Sequence, residues 1–103
     1  MTDPAKAIVC RLKHSCRGLA ETRLRNTRSS EWRSLLFDGA QHRMTIELIG
    51  GRPEEAAASI RAAAATPFDI PGHLIADISV RIIDAEDETP TVVVEALTVQ
   101  LIA

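Results

Sequence analysis

The chain has 103 residues, 46% of them apolar and 25% charged, which fits one α+β domain over residues 1–103 and leaves no room for a second of ordinary size. Twelve Lys and Arg against fourteen Asp and Glu give a net charge of −2, so a strongly basic nucleic-acid binder is excluded as the overall character. Three aromatic residues (Trp32, Phe37 and Phe68) and no Tyr argue against a base-stacking platform and most aromatic-lined pockets.

The first element is expected to be a helix from Pro4 to about Glu21. Asp3 supplies an N-cap, and Pro4 suits a first helical position, where its missing N–H costs nothing. Ala5, Ile8, Val9, Leu12, Cys16 and Leu19 recur at helical spacing and form one core-facing stripe. Lys6, Cys10, Lys13 and Arg17 line the outer side. Residues 23–30 (RLRNTRSS) read as a solvated helix end and connection.

A hairpin is expected next, EWRSLLF–DGAQ–HRMTIELIG, turning at Asp38-Gly39. Its side-chain register sets Leu36 opposite Met44, Ser34 opposite Ile46 and Trp32 opposite Leu48 on the core face. On the other face come Arg33 with Glu47, Leu35 with Thr45 and Phe37 with Arg43. Gly50-Gly51 releases the strand, and Pro53-Glu54-Glu55 begins an alanine-rich helix that Thr66-Pro67 stops. With Ile60 as its only large apolar side chain, this helix should lie flat on a sheet.

A second hairpin follows. In His73–Asp84 the alternation puts Leu74, Ala76, Ile78, Val80 and Ile82 on one face, and His73, Ile75, Asp77, Ser79, Arg81 and Ile83 on the other. An acidic tip, 84–88, leads to Thr91–Ile102, which is apolar on both faces and therefore the best central strand. The order αββαββ predicts a two-layer sandwich: a four-stranded antiparallel sheet with both helices on one face. A right-handed crossover through the second helix makes strands 43–49 and 73–84 parallel, with the last strand between them. That is ferredoxin-like connectivity, circularly permuted to begin at its second helix.

The start MTDPAKAIV has neither the basic opening nor the apolar run of a secretory leader, and no stretch reaches membrane-span length. Cys10 and Cys16 form neither a CxxC motif nor a disulfide framework. The expected setting is the cytoplasm, without membrane contact.

No catalytic motif emerges. His73, Asp69 and Asp77 are the catalytic candidates: in the loop FDIPGH either Asp69 or His73 could face a ligand, although a structural turn before the strand is the favoured reading, and His73 and Asp77 lie too far apart on one strand to bond directly. No cofactor motif is present, because Gly50-Gly51-Arg52 lacks the spacing of a phosphate loop. No metal site is expected either. Cys10 and His14 are only two ligands, His42 reads as a turn residue, and the acidic tip lacks the glycine of a calcium loop.

The informative feature is charge and exposure. Residues 1–52 carry ten basic and five acidic residues, and residues 53–103 carry two and nine. With helices on one face only, Leu35, Phe37, Ile75 and Ile83, plus one face of Val92 to Ile102, are expected in water on the other, rimmed by Arg33, Arg43, Glu47, Asp77 and Arg81. The leading expectation is therefore a homodimer through the open sheet face, without catalytic apparatus of its own, and with room for a small-molecule ligand. The alternative is an enzyme or ligand sensor using a polar cleft around His73 and Asp69 between subunits. These are distinguished by whether polar groups converge on a pocket.

Overall fold

The computed structural model describes residues 3–83 and 89–101. Six elements follow in order: α1 (Pro4–Ser15), β1 (Glu21–Arg33), β2 (Asp38–Ile49), α2 (Pro53–Ala65), β3 (His73–Ile83) and β4 (Thr91–Gln100). The sheet order is β1-β2-β4-β3, with every neighbouring pair antiparallel, so β2 and β3 run parallel with β4 between them. Both helices pack on one face, giving an α+β sandwich with an open sheet on its other side. None of the described helices is long and apolar enough to cross a membrane.

The core lies between helices and sheet. Ile8 and Leu12 of α1 meet Ile60 of α2 over Met44, Ile46 and Leu48 of β2 and Val92 and Val94 of β4, all at 0–1% exposure. Truncating one of these to alanine costs about 2–5 kcal/mol in comparable cores. Ala56, Ala57 and Ala64 let α2 approach the sheet closely, as its composition predicted. The Asp3 carboxylate accepts from the Ala5 N–H at 3.0 Å and caps α1.

Helix α1 stops at Ser15 rather than near Glu21. Cys16 is its C-cap, a turn through Gly18 (φ +82°) follows, and the chain enters β1 at once. Cys16 remains in the core, its Sγ–H donating to the Ala56 carbonyl at 3.5 Å, while Cys10 is exposed.

The stretch 23–30 is strand, not connection. β1 is an edge strand that the helices leave largely uncovered, so almost all of its side chains meet water and no apolar alternation marks it. The turn accordingly falls at Ser34–Phe37 instead of Asp38-Gly39. The Ser34 N–H donates to the Phe37 carbonyl at 2.8 Å, and the Phe37 N–H donates to Ser34 Oγ at 3.0 Å. This turn lets the whole of β2 pair with β1: Thr22 faces Leu48, Leu24 faces Ile46 and Trp32 faces Gly39, replacing the expected register. A turn at Asp38-Gly39 would have left residues 21–30 without ladder partners for their backbone.

Two bulges reset side-chain directions. Arg25 is the extra residue in β1 and Ala76 in β3. The second overturns part of the expected face. Ile75 pairs with Thr98 on the helix side and packs against the core, and Leu74 turns outward instead at 55% exposure. Leu35 and Phe37 also leave the expected face. They sit in the hairpin turn, at 104% and 54% exposure.

Candidate functional site

His42 and Thr98 are the buried polar residues of the described chain, at 4% and 1% exposure. Their positions follow from alternation: His42 continues the row of Met44, Ile46 and Leu48 on β2, and Thr98 that of Val92, Val94 and Ala96 on β4. Ser29 stands opposite His42 on β1. Its Oγ lies 2.7 Å from His42 Nδ1, and His42 Nε2 lies 2.9 Å from Thr98 Oγ1. Because Thr98 Oγ1 donates to the Ala40 carbonyl at 3.5 Å, it accepts from Nε2–H, and Nδ1 then accepts the Ser29 hydroxyl. The chain Ser29→His42→Thr98→Ala40 thus satisfies every polar atom of a neutral imidazole. Burial pushes the His42 pKa below the ordinary histidine range; the Asp3 charge opposes this and His73 adds slightly to it.

A serine donating to a neutral histidine is the start of a nucleophilic pair. On its other side the ring meets a hydroxyl. Among the described residues no carboxylate bonds to the imidazole, so the imidazolium formed on proton abstraction would have only a hydroxyl behind it. The arrangement links β1, β2 and β4 through side chains.

Beside this chain lies a cleft of about 430 Å³ at the end of the sheet, between the β1–β2 hairpin, the start of β3 and the start of α1. Trp32, Glu31, Asp3, His73 and Gln100 line it together with Ser29, His42 and Thr98. The indole lies against Gly39, where any Cβ would overlap both the ring and the Thr98 backbone carbonyl. Trp32 is thereby a cleft wall, outside the core where the sequence placed it.

The sequence candidates are dispersed. His73 lines this cleft, whereas Asp69 and Asp77 border a separate hollow beside the end of α2, and Asp77 also reaches the helix-free face. His42, read from sequence as a turn residue, is instead the buried centre of the site. Alternation through HRMTIEL carried that signal; nothing comparable marked Ser29 or Thr98. Among the described residues, no three His, Cys, Asp or Glu side chains gather as metal ligands.

The second candidate surface is the helix-free face. Val93, Glu95, Leu97 and Val99 form a row along β4, with Val93 buried at 4% exposure, Leu97 and Val99 half-buried, and Leu74 and Ile83 exposed on β3. Arg43 pairs with Glu95 at 4.0 Å and Arg25 with Glu47 at 3.7 Å across this face, and Arg81 stands opposite Val93. Arg33 instead meets Asp38 at 3.9 Å near the hairpin end. Comparison with protein-family models, with curated proteins and with solved structures found no match for the chain.

Proposed function

We propose that this chain is a self-associating binding module of ferredoxin-like connectivity, entered at its second helix, whose second copy covers the helix-free sheet face. The apolar row on that face, with Leu74 at 55% and Ile83 at 41% exposure beside it, is the observation that carries the reading. Charge supports it. Arg28 stands directly opposite Arg43 across the ladder, an unfavourable like-charge pair of which only Arg43 has a carboxylate within reach among the described residues. Asp77, on the far strand of the same face, likewise makes no ion pair among the described residues.

A two-fold axis along the strands resolves both. It sets β1 of one copy over β3 of its partner, which brings Arg28 within two residues of the level of Asp77. The working compartment is a reducing one, where Cys10 and Cys16 stay free thiols. Light scattering tests the reading: the wild type should show twice the 11.2 kDa chain mass at micromolar concentration. Leu97→Glu, which buries a carboxylate in the proposed interface, should reduce that mass to one chain without altering the circular dichroism spectrum. A monomeric wild type overturns the reading.

A further inference from the structure

The cleft beside Trp32 belongs wholly to one chain and is independent of any pairing through the sheet face. Its floor is uncharged and internally satisfied, because the ring nitrogens of His42 are committed to Ser29 and Thr98. Its wall is the flat indole of Trp32, held against a glycine that tolerates no side chain. The indole Nε1–H is buried without an acceptor among the described residues, so the ring's π face is what Trp32 can offer the cleft.

The ionised groups around the cleft are unbalanced. Asp3, Glu31 and Asp38 contribute three carboxylates and Arg33 one guanidinium, which Asp38 already meets at 3.9 Å. The Asp3 carboxylate is engaged by the α1 backbone. The Glu31 carboxylate makes neither a hydrogen bond nor an ion pair with any described residue, and Glu31 lines the same cleft as Trp32. A free carboxylate and an indole lining one cleft are recognition elements for an organic cation, which can gain a charge contact from one and a cation–π contact from the other. A volume of about 430 Å³ falls within the range of small-molecule sites. An anionic ligand would meet uncompensated carboxylate instead.

We propose that the cleft bounded by Trp32 and Glu31 binds a small organic ammonium compound, its flat body on the indole and its charge at Glu31. His73 and Gln100 close the side opposite the hairpin and set the length of ligand admitted.

Trp32 is the only tryptophan, so its emission reports on the cleft alone. Titrating the full chain with benzylammonium should change that emission saturably. Benzyl alcohol and benzoate, of the same shape but neutral and anionic, should bind at least about tenfold more weakly, the scale of one charge-assisted contact. Glu31→Gln, an exposed substitution whose fold is checked by circular dichroism, should weaken benzylammonium by a similar factor and leave benzyl alcohol unchanged. No saturable change up to millimolar benzylammonium, an equal response to benzoate, or undiminished binding by Glu31→Gln would each overturn the proposal.

Discussion

His42 ties β1 and β4 to β2 through its two ring nitrogens. Buried, hydrogen-bonded through both nitrogens and neutral, it is held below its usual pKa by desolvation. A depressed pKa means that the unfolded chain binds the proton more readily. Stability from this group is therefore complete above the unfolded value, about 6.5, and is lost as pH falls from there toward the folded value. The wild type should accordingly lose stability between pH 7.5 and 5 in urea titrations. His42→Gln should cost about 1 kcal/mol at pH 7.5 and show a flatter profile, so the two curves converge in acid. Parallel curves would show that His42 does not titrate on unfolding. The row His42, Met44, Ile46, Leu48 made this burial legible at the outset. The Asp38-Gly39 dipeptide masks it, because a turn there places His42 at the mouth of a hairpin.

At the scale of elements, three of the six were readable and three were displaced for physical reasons. The helix α2, the strand β3 and the central strand β4 follow from alanine content, Pro and Gly boundaries, and apolar patterning. β1 left no such mark, because an edge strand in water needs no buried face, and its length then moved both the end of α1 and the hairpin turn. The extra residue Ala76 was invisible for another reason: a bulge is a property of pairing, and nothing in HLIADIS announces that Ile75 and Ile78, three apart, share a face. The close seat of Trp32 on Gly39 gives the hairpin its own test. Gly39→Ala forces the indole or the Thr98 carbonyl to move, and should destabilise by about 1–3 kcal/mol with a shift in Trp32 emission. An unchanged melting temperature and spectrum would mean that the indole is not packed there.

For the whole molecule, the expected strand arrangement and the single helix-covered face were correct, and the composition of the open face was only partly so. Ile75 belongs to the core, and Leu35 and Phe37 project from the hairpin turn. Ile83, Arg43, Arg81 and one face of β4, with Val93 and Leu97, do lie on the open side, joined there by Leu74. The opposite charges of the two halves of the sequence also acquire a spatial form: Arg28 on β1 and Asp77 on β3 stand at opposite sides of that face. Under a two-fold rotation Arg28 of one copy would approach Asp77 of the other, while Arg81, also without an ion pair among the described residues, shares the Asp77 side.

The reciprocal charge exchange tests this most directly. In sedimentation equilibrium the wild type is predicted to associate to twice 11.2 kDa, Arg28→Asp and Asp77→Arg each to dissociate at the same concentration, and the double variant to recover the dimer. A wild type that sediments as one chain at every concentration, or a double variant no more associated than the single ones, would contradict it.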